Sequence, residues 1–138
     1  MKKKSLWFLP VLFLFQFATA QPKYEFRGVW IATVNNIDWP THGVWDSEKQ
    51  KAEYIKMIEK HQTNGMNAMI VQVRPSADAF YPSELEPWSQ WLTGTQGKAP
   101  VPYYDPMQFM IEETHKRGME FHAWLNPYRA VFNTSNSS

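Results

Sequence analysis

Two windows of the chain carry apolar residues at helical spacing, and each runs almost at once into a stretch with strand character. In "SEKQKAEYIKMIEKHQTNG", Ala52, Ile55 and Ile58 recur along one face. Ser47 followed by Gln50 reads as a capping box, and Asn64-Gly65 supplies the left-handed stop. The second window, "DPMQFMIEETHKRG", has Asp105 as N-cap, Pro106 at N1 and Gln108 at N3. Lys116 and Arg117 suit the negative end of its dipole, and Gly118 ends it. The runs that follow, "GMNAMIVQV" and "GMEFHAWLN", both begin Gly-Met. An earlier run, "FRGVWIATV", supplies a first strand. The order β-α-β-α-β predicts an α/β fold, a parallel sheet with helices outside it.

Alternation assigns the faces of these strands. Met69, Val71 and Val73 share one face of the second, and Ile70, Gln72 and Arg74 the other. In the third, Phe121, Ala123 and Leu125 lie opposite His122, Trp124 and Asn126. The apolar faces should pack on helices. The mixed faces become more polar toward the C-terminal end and should line an interior that opens to solvent. An arginine sealed in a small core needs full pairing, so a mouth-facing position for Arg74 is the less costly arrangement. The first strand sorts less cleanly: Arg27, Val29, Ile31, Thr33 and Asn35 oppose Phe26, Gly28, Trp30, Ala32 and Val34.

The connections are lopsided. Helix-to-strand turns are two or three residues, whereas "NNIDWPTHGVWD" follows the first strand and residues 76–104 follow the second. A loop beyond about 12–15 residues in a compact domain is functional or disordered. The second contains Tyr81, Trp88, Trp91, Tyr103 and Tyr104, too aromatic a set for disorder. Both long loops leave strand C-termini, the end at which α/β folds bind and react.

The first 20 residues stand outside this pattern. Lys2, Lys3 and Lys4, the apolar run "LWFLPVLFLFQF" and the small residues of "ATA" ending at Ala20 make a secretory signal peptide. No cysteine follows to be acylated, so the expectation is a secreted or periplasmic protein with no membrane span after cleavage. Removing the three signal lysines from 14 basic residues leaves 11 against 13 acidic ones, which argues against a nucleic-acid partner. The absence of cysteine excludes a disulfide framework and a thiolate metal site. His42, His61 and His115 lack metal-ligand spacing, so no metal or cofactor is expected.

The segments "EFRGVWIATVNNIDWP", "VQVRPSADAFYPSELEPWSQWLTGTQGKAP", "YDPMQFMIEETHKRG" and "HAWLNPYRA" resemble, in order and spacing, the N-terminal part of the glycosyl-hydrolase-like 10 family. The resemblance spans residues 24–138 and implies a (β/α)8 TIM-barrel fold of glycosidase type, with about the first three βα units present. It further implies a polysaccharide or peptidoglycan glycan as substrate and hydrolysis by carboxylate acid/base chemistry. The family's acidic motif lies after the third strand, so this chain is expected to be a fragment, inactive alone, with its catalytic acids beyond Ser138. A non-catalytic carbohydrate-binding or degenerate product on the same scaffold is the alternative.

Candidate substrate-binding residues cluster at the strand ends: Asn35 after the first, Arg74, Asp78 and Tyr81 after the second, Asn126 and Arg129 after the third. Arg74 and Asp78 form the most suggestive pair, reading either as a sugar-binding couple or as a salt bridge that fixes the loop. Asp38 and Asp78 follow neighbouring strands, but the resemblance places the catalytic acids elsewhere. Trp88 and Trp91 stack on sugar rings or cover the rim. His122 reads as a core histidine, and Glu84 and Glu86 as solvated loop carboxylates.

Overall fold

A computed structural model describes residues 25–131. Residues 1–24, which include the expected signal segment, and the last seven residues lie outside that range. Three parallel strands form one sheet in the order β1 (Gly28–Ile31), β2 (Ala68–Arg74), β3 (Glu120–Leu125). The registers run Gly28 to Ala68 through Ile31 to Val71, and Ala68 to Glu120 through Gln72 to Trp124. The ladder then slips at Val73, so that Arg74 sits opposite Leu125. Helix α1 (Ser47–Thr63) links β1 to β2, and helix α3 (Pro106–Lys116) precedes β3. Between them a single helical turn, α2 (Gln90–Thr93), interrupts the long connection that the sequence presents as loop.

One face of the sheet carries the core. Met69, Val71 and Val73 are fully buried and pack with Ile31, Tyr54, Ile58, Met110 and Met119, as the alternation predicts. The opposite face bears Phe26 and Trp30, 55% and 61% exposed, with no covering layer among the described residues. Trp30 meets Trp124 edge-on at 5.1 Å between ring centroids, and Phe26 meets His122 in the same way at 5.4 Å. His122 is therefore no core histidine: its side chain is 46% exposed, and its Nε2 lies 2.9 Å from Glu120.

The structure moves three local boundaries. β1 stops at Ile31 because Asp38 captures the next residue: its carboxylate accepts the Ala32 N–H at 2.7 Å, and its own N–H donates to the Ala32 carbonyl at 3.0 Å. The chain then turns through residues 34–36, with Asn35 and Asn36 at φ 55° and 53°, a region that asparagine tolerates better than most residues. The cap of α1 is Asp46, whose carboxylate accepts the Lys49 N–H at 2.9 Å. Ser47 is buried and donates to the Pro102 carbonyl, which leaves it no part in capping. The buried stripe of α1 is Ser47, Gln50, Tyr54 and Ile58, whereas Ala52 is exposed. At α3 the cap is the expected one, with Asp105 accepting the Gln108 N–H at 3.0 Å.

Gln50 ties the long connection to α1. Its Nε2 donates to the Val44 and Leu92 carbonyls, each at 2.8 Å, and its Oε1 accepts the Tyr104 hydroxyl at 2.9 Å. Isolated bridges pair Ala79 with Trp88 and Asp46 with Val101. Gly94 ends α2 at φ +78°, and a Cβ there would stand 2.9 Å from the Trp45 ring. Only glycine meets both demands.

Candidate functional site

A cavity of about 440 Å³ opens at the C-terminal end of the strands. Ala32 and Val34 line it from the end of β1, Gln72 from β2, and Trp124, Asn126 and Arg129 from β3 and the segment after it. It lies where an α/β sheet places its ligands.

The sequence-predicted residues divide around this cavity. Asn126 and Arg129 line it. Asn126 is fully engaged in shaping the wall: its Oδ1 accepts the Trp124 indole N–H at 2.9 Å, and its Nδ2 donates to the Pro75 carbonyl at 3.1 Å. Arg129 and Tyr128 stand exposed at the rim. Asn35 is exposed on the 34–36 turn beside the cavity without lining it.

Arg74 and Asp78 do not pair with each other. Arg74 forms its ion pair with Glu86, Nε donating to Oε1 at 2.6 Å, and its Nη1 donates to the Asn126 carbonyl. Both ionic side chains are 18% exposed. Glu86, read from the sequence as a solvated loop carboxylate, is the counter-charge that an inward arginine requires. Through this fork Arg74 joins the ends of β2 and β3 to the long connection.

Asp78 is 2% exposed. Its Oδ1 accepts the Ser76 N–H at 2.8 Å, holding the kink at Ala77, where φ is 49°. Burial pushes its carboxyl above the ordinary aspartate value, while hydrogen bonds from Ser89 and Ser76 pull it back. Tyr81 is half-buried against the core, and burial also raises its phenol. Trp88 and Trp91 pack against the same core, Trp88 edge-on to Tyr103. Both are partly buried there, and Trp91 also lines a small hollow.

Gln72 is a cavity-lining residue that the candidate set lacks. It is 1% exposed, yet it lines the cavity. Its Oε1 accepts the Thr33 N–H at 3.1 Å and the Val34 N–H at 2.9 Å, and its carbonyl accepts the Thr33 hydroxyl at 2.8 Å. A glutamine on the inward face of a buried strand was the signal available in the sequence.

Two other hollows lie apart from this one. A groove of about 400 Å³ runs between β1 and α1, lined by Asp38, Glu53, Lys56 and His61 among others. A smaller one of about 100 Å³ lies between Asn36, His42, Trp45 and Trp91. Asp78 lines none of the three, and among the described residues no carboxyl group lines the strand-end cavity. Among the described residues no cluster of three or more His, Asp or Glu is placed to hold a metal ion, and no helix is long and apolar enough to cross a membrane.

Comparison with known proteins gives this arrangement its context. The chain is 60% identical over 116 residues to the glycosyl hydrolase YngK of Bacillus subtilis (strain 168), covering 84% of the chain and 22% of that relative. It is 41% identical over 123 residues to the glycosyl hydrolase DigH of Escherichia coli (strain K12), covering 84% of the chain and 28% of that relative. The DigH of Shigella flexneri matches to the same extent. The chain thus spans about a quarter of the length of these relatives. The family model for glycosyl hydrolase-like 10 matches residues 25–138, nearly everything after the apolar N-terminal segment, and the chain belongs to that family.

Proposed function

We propose that this chain forms the glycan-contacting, N-terminal part of a secreted glycoside hydrolase built on a (β/α)8 barrel. The observation that carries the reading is the composition of the strand-end cavity. It offers an indole, a buried amide and a rim arginine, and it has no carboxyl group. Such a set can hold a sugar: the ring of Trp124 presents an apolar surface, and the polar groups take hydroxyl or carbonyl oxygens. It cannot supply the pair of carboxyl groups that glycoside hydrolysis uses. The acid that protonates the leaving oxygen, and its partner carboxylate, belong to the sequence expected after β3. The three parallel strands and their helix-covered face are consistent with the opening units of a barrel. The uncovered face of Trp30 and Trp124 would then look into its interior.

The same absence of carboxyl groups favours one second reading, a non-catalytic carbohydrate-binding protein on this scaffold. One experiment separates them. The protein, at the length its gene encodes, is incubated with peptide-free peptidoglycan glycan strands and with soluble hexasaccharides. Binding is followed by tryptophan fluorescence and bond cleavage by new reducing ends. Binding with cleavage supports the hydrolase, and binding alone supports the second reading. Neither binding nor cleavage with any of these glycans overturns both.

A further inference from the structure

The side-chain amide of Gln72 has one orientation, and the chain itself dictates it. Oε1 accepts two backbone N–H groups, those of Thr33 and Val34. Exchanging Oε1 and Nε2 would set donors against donors, so the amide cannot flip. Nε2 therefore keeps its two N–H donors for something else, and among the described residues nothing accepts from it. Nε2 is not one of the fully sealed unpartnered atoms, so the small exposure left to this 1% exposed residue includes its nitrogen. The surface left to Gln72 borders the strand-end cavity.

Apart from Tyr128 and Arg129 at the exposed rim, the walls around that donor are apolar or already engaged. Val34, Ile37 and Pro127 contribute aliphatic surface, and the indole N–H of Trp124 is taken up by Asn126. A fixed amide nitrogen with two N–H donors beside aliphatic surface is the complement of an acetamido group, whose carbonyl oxygen offers two lone pairs and whose methyl meets that surface, while its own N–H, trans to the carbonyl, is directed back toward the sugar ring. A hydroxyl placed there would also bring an O–H donor toward aliphatic surface, at a desolvation cost. An ammonium would bring a charge and further donors toward a donor.

Resting on the glycan reading above, we propose that Gln72 is a specificity-determining residue that recognises N-acetylated sugars. Its Nε2 donates to the acetamido oxygen while the methyl packs against Val34 and Ile37. The same amide holds the 34–36 turn in place through Oε1, so one side chain shapes the cavity and reads its occupant.

The test uses chitohexaose, its fully deacetylated counterpart and cellohexaose as probes, titrated calorimetrically against the protein at the length its gene encodes. Wild type is expected to prefer chitohexaose by about tenfold or more, the scale of one buried hydrogen bond. Gln72→Glu keeps an oxygen for both backbone N–H groups and exchanges the donor for an acceptor. It should lose the preference for chitohexaose over cellohexaose, and any binding it gains should be for the deacetylated probe, whose ammonium meets the new carboxylate. Ile37→Trp, at a side chain 64% exposed, fills the cavity from its rim without disturbing the buried turn, and it should erase the preference as well. Wild-type binding without preference, or a preference that survives either substitution, overturns the role of Gln72 and leaves the glycan reading standing. Wild type that binds none of the probes, nor the peptide-free glycan strands, overturns both.

Discussion

Asp78 is 2% exposed, and burial raises its pKa even though Ser76 and Ser89 donate to it. The sign of the linkage follows from that direction. A carboxyl raised in the folded state holds its proton more tightly there than in the unfolded chain. Its contribution to stability is complete below the ordinary aspartate value and is lost as pH rises through the raised one. In Asp78→Asn the neutral amide keeps an oxygen for the Ser76 N–H and replaces the oxygen that accepts from Ser89 with an N–H that can donate to the Ser89 hydroxyl, with no titration. Urea unfolding of both proteins between about pH 3 and pH 7 should show the wild type losing ground against the variant as pH rises. A difference that stays constant with pH would mean that Asp78 is not held in the raised state. The sequence indicated that Arg74 and Asp78 sit near a strand end, but it could not assign their partners. Arg74 has two carboxylates within reach of the same connection, and the bridge of Ala79 with Trp88 folds Glu86 back onto it while Asp78 turns to its own backbone. Such choices depend on how a loop closes, which alternation along a strand does not encode.

At the level of elements, the period of the apolar residues was a sound guide to the three strands and two long helices, and weaker where polar residues do the packing. Gln50 reads from the sequence as a capping-box residue on a surface turn. In the fold it is completely buried and supplies three hydrogen bonds that lash Val44, Leu92 and Tyr104 to α1. A purely hydrophobic criterion misses such a residue, because its burial is made possible by partners more than 40 positions away, at Leu92 and Tyr104. Gln50→Met keeps much of the volume and removes every one of these bonds. One buried carbonyl, one part-buried carbonyl and one hydroxyl lose their partner, at about 1–3 kcal/mol for each group that water cannot reach. The expected result is a loss of roughly 3 kcal/mol in global stability, together with faster amide exchange across α2. A stability change under about 0.5 kcal/mol, the range of an ordinary surface substitution, would show that the connection is held by its aromatic packing instead.

For the molecule as a whole, the lopsided connections were the most legible feature of function. Short turns lie at one end of the sheet, and the long, aromatic connections and the cavity lie at the other. On the proposed reading that end meets a glycan too large to cross a membrane, which makes the route out of the cell part of the proposal. The apolar run of residues 6–17 is 12 residues long. That is well short of the roughly 20 consecutive apolar residues that a permanent anchor needs. Three lysines precede it, and Ala18 and Ala20 frame a cut of the small-x-small type. Protein recovered from outside the inner membrane should therefore begin at Gln21 when its N-terminus is read by mass spectrometry. Replacing Ala18 and Ala20 together with leucine removes both small side chains that the peptidase pocket accepts. The double variant should then accumulate with residues 1–20 attached and sediment with membranes. Wild-type protein that retains Met1 at the membrane would convert the segment from a cleaved signal into an anchor, and the strand-end cavity would then meet its glycan from a tethered position.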